Sequence, residues 1–214
     1  MSAVGSMPDL ATDIAGRTDV YFNRTREIVA RFGDQLVTYA VFLRRPVIAA
    51  PRLMLDWLRA VAATRGTNFE LDAKYPEGSW VGAGEPIVYI SGSLMQLSDL
   101  ETIFLQKLGA ACVAAQHAYQ MCLALPKVAF LAMEARHCTG AEMQEIMAYA
   151  ASVGSGAARR EGAVGFVGNA NDATAHWFGA SRGLGTMPHA LIGYAGSTVR
   201  AAEMFHETFP EENL

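Results

Sequence analysis

Apolar positions along the chain follow two rhythms. From Thr25 to Phe32, Ile28, Val29 and Phe32 recur at helical spacing and Gly33 supplies a stop. The run LVTYAVFLR, residues 36–44, alternates and is rich in β-branched and aromatic residues, so it predicts a strand closed by the Arg-Pro step at 45 and 46. Helical spacing returns at 51–64 through Leu53, Leu55, Leu58, Val61 and Ala62, ending near Gly66. Glycine and proline then punctuate EGSWVGAGEPIVYISG, residues 77–92, into the strand-like runs Ser79–Val81 and Ile87–Ile90. The stretch 99–123 has few breakers and predicts one long, largely buried helix, with Ser98 or Asp99 as its cap.

From there strand and helix alternate. KVAFLAM at 127–133 reads as a buried strand and Ala141–Arg159 as a helix with Thr139 as a possible cap. GAVGFVG at 162–168 reads as a second strand, Asp172–Phe178 as a short helix, and Ser197–His206 as another helix. Such alternation implies a parallel sheet. The closing FPEENL falls where the next strand of the alternation is expected, and a parallel sheet of two or three strands leaves an open edge, so this second unit is expected to be incomplete. Residues 1–16, small and polar with little periodicity, read as a loosely ordered lead-in.

Composition narrows the function class. With 214 residues, 51% of them hydrophobic and 18% charged, the chain can bury a core. Its formal net charge of -4 argues against nucleic acid as a partner, while a small phosphorylated molecule remains open. No apolar run approaches the roughly 20 residues that cross a bilayer, and the N-terminus has early acids rather than an apolar segment. Cys112, Cys122 and Cys138 form no metal-binding pattern and read as free thiols, which suits a reducing compartment. The expectation is a cytoplasmic protein with no membrane or nucleic-acid partner and no protein-held metal ligands.

Four segments carry polar groups able to do chemistry. GLGTMPHALIGY, residues 183–194, combines glycines with Thr186 and His189; this histidine could transfer a proton, attack phosphorus, or hydrogen-bond within the core. EARHCTG, residues 134–140, directly follows a predicted strand, where loops face the site in βα folds. Arg136 could therefore fork onto a carboxylate or phosphate, or pair with Glu134 or Glu142. GFVGNAND, residues 165–172, holds the matching place after the next strand, with Asn171 and Asp172 read as caps of the short helix. In TDVYFNRT, residues 18–25, Tyr21 and Phe22 could stack on a planar substrate or belong to the core. The pairs Arg44-Arg45 and Arg159-Arg160 read as solvated surface charges.

Taken in order, TDVYFNRT, EGSWVGAGEPIVYISGSLMQLSDLETIFLQKLG, EARHCTG, GFVGNAN and GTMPHAL resemble the nicotinate phosphoribosyltransferases, from Thr18 onward. The resemblance implies an α/β fold: an N-terminal α/β domain with a small β-rich part (17–124), then the first part of an irregular α/β barrel (125–214). It implies an enzyme joining nicotinate to phosphoribosyl pyrophosphate on the way to NAD, with ATP as co-substrate, Mg²⁺ as cofactor, and a homodimer with shared active sites. By the same resemblance Tyr21 and Thr186 contact nicotinate, Arg136 lines the pyridine and phosphate pocket, and His189 is transiently phosphorylated. Ala170 stands where nicotinamide-using relatives carry an aspartate, which favours an acid substrate. The later strands that grip the phosphate in such enzymes are not in this sequence.

Two alternatives stand beside this reading. A quinolinate phosphoribosyltransferase shares the fold but does not use a phosphorylated histidine, so GTMPHAL speaks against it. A non-catalytic chain would instead pair with a full-length or complementary partner through an exposed barrel edge.

Overall fold

The computed structural model describes residues 13–185 and 187–212. Residues 1–12 of the expected lead-in lie outside the described residues, and from Ile14 the chain is already helical: α1 (Ile14–Arg17) is capped by Asp13, whose Oδ1 accepts from Gly16 N at 2.9 Å. The next helix, α2 (Val20–Phe32), starts earlier than its apolar spacing predicts and buries Phe22 as well as Val29. Strand β1 (Leu36–Phe42) and the short β2 (Val47–Ile48) lead into α3 (Arg52–Arg65), which buries Met54, Leu55, Leu58, Val61 and Ala62 and ends at Gly66 in the left-handed region, φ 62°. Glycine adopts that conformation without the Cβ penalty.

Three strands follow: β3 (Glu70–Ala73), β4 (Trp80–Val81) and β5 (Pro86–Ser93). Strand β5 is central, antiparallel to β1 on one side and β3 on the other, while β2 pairs with β4. This is the small β-rich part expected from the sequence.

The chain then enters α4 (Leu94–Leu97), a 3-10 turn at Ser98–Leu100, and α5 (Glu101–Ala124). Ser98 and Asp99 do not cap α5, contrary to the expectation. Both are buried in the turn, and Ser93 caps α4 instead by accepting from Gln96 N at 3.3 Å. The Asp99 carboxylate, 1% exposed, is gripped bidentately by Arg65 at 2.9 and 2.7 Å and by Arg26 Nη1 at 2.9 Å. The same arginines reach the carbonyls of Met95 and Gln96, so one buried acid ties α2, α3 and α4 together.

Strands β6 (Ala129–Ala132) and β7 (Gly165–Asn169) flank α6 (Ala141–Arg159), and the two strands pair in parallel as the alternation implied. No side chain caps α6; Gly140 rather than Thr139 occupies its N-cap. Helix α6 lies against α5. Ile146, Tyr149, Ala150, Val153 and Ala157 join the core formed by α3, α5 and β5. Ala118, Cys122, Ala132, Ala158, Ala163 and Phe166 form a second cluster under the parallel pair. Helix α5 thus serves both clusters, which accounts for its apolar character all round. A 3-10 turn (Ala175–Phe178), α7 (His189–Ala195) and α8 (Thr198–Thr208) complete the described chain, with Ser197 capping α8 through Arg200 N at 3.1 Å. No closed barrel is present among the described residues.

Arg159 and Arg160 are tethers rather than free surface charges. Arg159 donates to the carbonyls of Val164, at 3.0 Å, and Phe166, fixing the entry to β7; Arg160 donates to Gly78 O at 2.7 Å.

Two substitutions test this architecture by denaturant unfolding. A Cβ on Gly154 would fall on the backbone carbonyl of Ala115 and lie 2.9 Å from Tyr119 N. Overpacking of that kind costs up to about 3 kcal/mol, against roughly 1 kcal/mol gained in helix propensity, so Gly154→Ala is expected to lose about 2 kcal/mol. Asp99→Ala leaves two guanidiniums facing a buried gap and is expected to lose about 3 kcal/mol, the low end for a broken buried pair because Arg26 can turn to water.

Candidate active site

The C-terminal ends of β6 and β7 lie side by side, with Ala132 paired to Asn169 and Ala170 N donating to Ala132 O at 3.0 Å. Two things set their register against α6. Ser155 Oγ accepts from Phe166 N at 2.8 Å, and Gly165, at φ 72°, leaves room for that hydroxyl where a Cβ would collide with it. Beyond the strands, the 3-10 turn Ala135–His137 carries Arg136 and His137, both exposed, and Glu134 just before it contacts Asn171 and Thr174 of the segment 169–174.

That segment is held by its own polar groups. Thr174 N and Thr174 Oγ1 lie 3.2 and 3.1 Å from Asn171 Oδ1, and Asn169 Nδ2 donates to Asn171 O at 3.0 Å and to Thr174 Oγ1. Glu134 joins from the other strand: its Oε1 is 3.3 Å from Thr174 Oγ1 and 3.4 Å from Asn171 Nδ2. Asn171 thus accepts from Thr174 N ahead of the 3-10 turn rather than capping it; the N-cap there is Thr174, with no side-chain cap bond. Asp172 does not cap it either; its Oδ1 accepts from Gly183 N at 2.8 Å and draws in the following loop. A Cβ on Gly183 would fall 2.5 Å from Asn171 N, and Leu184 N donates to Asn169 O at 2.6 Å, so the start of the GLGTMPHAL segment is laid directly across the end of β7.

Of the expected site residues, Arg136 stands at the strand end with no salt bridge among the described residues. Glu142 is taken by Lys107, and Glu134 is engaged with Asn171 and Thr174. His189 is the first residue of α7, after Pro188, and is exposed. It is not a core histidine. Thr186 lies outside the described residues. Tyr21 sits on α2, 58% exposed, with its ring 4.2 Å from that of Phe22 and its hydroxyl donating to Asp19 Oδ2 at 3.3 Å. No hydrogen bond, ion pair or ring contact among the described residues joins it to the strand ends. Three of the four segments singled out in the sequence thus converge, and the Tyr21 segment stands apart.

Sequence reasoning missed the polar hub of Glu134, Asn169 and Thr174. It also missed an anchor beneath it. Arg52 lies 5.3 Å from the Tyr149 ring and 5.0 Å from the Trp177 ring and binds Glu77, which also receives the Tyr149 hydroxyl. Trp177 Nε1 donates to Glu145 Oε1 at 2.6 Å. Burial, and then the bond to Glu77, push the Tyr149 phenol far above its ordinary value, so it stays a neutral donor. The 3-10 turn that follows Thr174 is thereby fixed to α3 and α6.

The thiols are free, as expected. Burial pushes Cys112 up to about 12. Cys138, partly exposed beside Arg136, is raised by desolvation and by the Glu134 charge.

The family described as quinolinate phosphoribosyl transferase, N-terminal domain, matches residues 19–112. No curated protein matches the chain. Among solved structures, nicotinate-nucleotide pyrophosphorylase from Pyrococcus furiosus is 25% identical with a TM-score of 0.74, over 97% of this chain and 50% of that one. Human nicotinic acid phosphoribosyltransferase is 23% identical, TM-score 0.64, over 84% of this chain and 41% of that one. NadC from Streptococcus pyogenes is 17% identical, TM-score 0.59, over 94% and 63%. The chain therefore has a mixed α/β fold of the phosphoribosyltransferase type and spans about half the length of the first of these relatives. The matching family is that of the quinolinate enzymes, a different branch from the nicotinate enzymes that the motifs resemble.

Alkylation distinguishes the three thiols. In the native protein at pH 8, iodoacetamide is expected to modify Cys138 alone, more slowly than a free cysteine because its raised pKa leaves less thiolate, and to reach Cys112 and Cys122 only in urea. Mass spectrometry of the digested protein reads the pattern.

Proposed function

We propose that this chain forms part of a phosphoribosyltransferase that joins a pyridine carboxylate to phosphoribosyl pyrophosphate, yielding nicotinate mononucleotide for NAD synthesis. The observation that carries the reading is Arg136, an exposed guanidinium with no ion-pair partner among the described residues, at a strand end of a fold shared with such enzymes. An unpaired guanidinium at that place is a fork for a carboxylate or a phosphate. In the reaction the pyridine nitrogen attacks C1 of the ribose as pyrophosphate leaves. Positioning and charge stabilisation dominate, so cations matter more than acid–base groups. Mg²⁺ on the pyrophosphate supplies further neutralising charge.

The quinolinate form of the reaction is the main reading, supported by the family match over residues 19–112. There the ring carboxylate beside the nitrogen departs as CO₂ and that carbon takes up a proton. A second reading, with nicotinate as the substrate, is favoured by GTMPHAL. His189 is exposed at the first turn of α7, open to a phosphoryl donor. On that reading ATP phosphorylates His189, Thr186 contacts nicotinate, and the switch drives an otherwise reversible step. Under either reading Tyr21, exposed and with no hydrogen bond or ring contact to the strand ends of its own chain among the described residues, would serve the neighbouring site of a homodimer.

The test supplies phosphoribosyl pyrophosphate and Mg²⁺ with either quinolinate or nicotinate, with and without ATP. The quinolinate form releases CO₂ without ATP; the nicotinate form needs no decarboxylation and shows an acid-labile phosphoryl group on the protein that His189→Ala removes. Arg136→Ala is expected to lower kcat/KM roughly 10- to 100-fold, the value of a charge-assisted hydrogen bond, and Arg136→Lys not to restore it fully. No nucleotide product from either acid, alone or with a complementary C-terminal fragment, would sink the reading.

A further inference from the structure

A cavity of about 480 Å³ opens between α1, α2 and α3, and none of its lining residues belongs to the strand-end segments. Its size falls in the range of small-ligand sites. Helix α3 supplies an apolar wall from one of its faces, through Trp57 and Val61, and Ile14 of α1 adds to it. The charged groups of the lining are Arg26, Arg65, the buried Asp99 and, on the exposed side, Asp13.

The donors that the two arginines leave unused define what fits. Arg65 spends Nη1 on Asp99 Oδ1 at 2.9 Å and on Gln96 O at 2.7 Å, and Nη2 on Asp99 Oδ2 at 2.7 Å. That end-on grip leaves Nε–H and the second Nη2–H, which point the same way in a planar guanidinium, with no acceptor among the described residues. Arg65 Nε is not among the sealed polar atoms. Arg26 spends Nε on Met95 O at 3.1 Å and Nη1 on Asp99 Oδ2 at 2.9 Å, and keeps Nη2. One whole bidentate fork is thus open beside a second guanidinium, the arrangement that receives a carboxylate.

Charge points the same way. Two guanidiniums share the single carboxylate of Asp99, and the Arg65 side chain is only 18% exposed, so one positive charge is left over where water screens it poorly. Asp13 is exposed, and its Oδ1 already accepts from Gly16 N. A monoanion balances the surplus. An aromatic body covers the apolar wall and gains further by packing on the Trp57 indole, whereas inorganic phosphate has nothing to place there.

We propose that this cavity binds a small aromatic monocarboxylate, with its carboxylate on the free fork of Arg65 beside Arg26 and its ring against Trp57. Asp99 already joins α2 and α3 through these arginines, and an occupant ties α1 to them. The inference does not rest on the phosphoribosyltransferase reading.

Titration of the full 214-residue chain with benzoate or with nicotinate, followed by NMR of the indole N–H signals of its three tryptophans, tests it. Trp57→Phe assigns the signal. The expected result is a saturable shift of the Trp57 signal that neither benzyl alcohol nor inorganic phosphate produces at the same concentration. A response to both acids makes aromatic acids in general the occupant, and a response to one alone assigns the site to benzenoid or to pyridine acids. Arg65→Lys, which keeps the charge and loses the fork, is expected to bind roughly tenfold more weakly or worse. Ala60→Phe fills the cavity from an exposed position on α3 and is expected to abolish binding with the far-UV circular dichroism unchanged, which keeps the test decisive where Arg65→Lys does not fold. No saturable Trp57 shift with either acid into the millimolar range, an equal response to benzyl alcohol or phosphate, or undiminished binding in Ala60→Phe or in a folded Arg65→Lys each overturns the proposal.

Discussion

The close passage of α6 over α5 is the constraint on which the rest of the structure hangs. Gly154 lets the α6 backbone approach the Ala115 carbonyl, and Ala111, Ala115, Ala150 and Ala157 keep the neighbouring contacts small. Interiors packed to crystal-like density have little slack, so the angle and depth of this crossing are fixed rather than adjustable. Everything that positions the strand ends is counted from it. Ser155 on α6 takes the amide of Phe166, Arg159 takes the carbonyls on either side of Gly165, and Lys107 on α5 holds Glu142 in the first turn of α6. The candidate site is thus assembled by a helix pair that contributes no group to it.

The same contact explains why the antiparallel sheet and the parallel pair are not independent. Phe104, Leu108 and Cys112 of α5 pack into the core under β5, whereas Ala118 and Cys122, roughly two to three turns on, pack under β6 and β7. Arg52 then bridges from α3 to Tyr149 and Trp177, and Arg160 reaches Gly78. These links pass between distant parts of the sequence and add directional polar contacts to an apolar crossing that has none.

Much of this frame was legible in the sequence, and the illegible parts share a cause. Helices α3 and α6 and strand β5 announce themselves through local periodicity and their glycine or proline stops, which act within a few residues. Strand β2, two residues long, has no period to read and exists because β4, which the sequence did mark at Ser79–Val81, supplies its partners. Asp99 looks like a helix cap because caps are acids before apolar runs, yet Arg26 and Arg65, 73 and 34 residues away, claim it. Arg159 looks solvated because its acceptors are carbonyls, which leave no mark in a side-chain pattern. At the site, the segments carrying Arg136 and Asn171 were legible from their place after strands. The role of Thr174 was not, since it is defined by Glu134, 40 residues earlier.

Glu134 and Arg136 show what such a turn can do with two opposite charges. They sit two residues apart, and a 3-10 turn with three residues per repeat directs such neighbours to different sides. The acid is drawn inward by Thr174 and Asn171, and the base is left facing solvent. Had they paired with each other, as their proximity in sequence suggests, each would have cancelled the other's reach. Instead the amide and hydroxyl groups of the next strand's loop take hold of the carboxylate, which keeps the guanidinium available to an anion. Separating the charges requires partners from both strands at once, so the positive character of the site depends on the parallel pairing of β6 and β7 and, through it, on the helix crossing beneath.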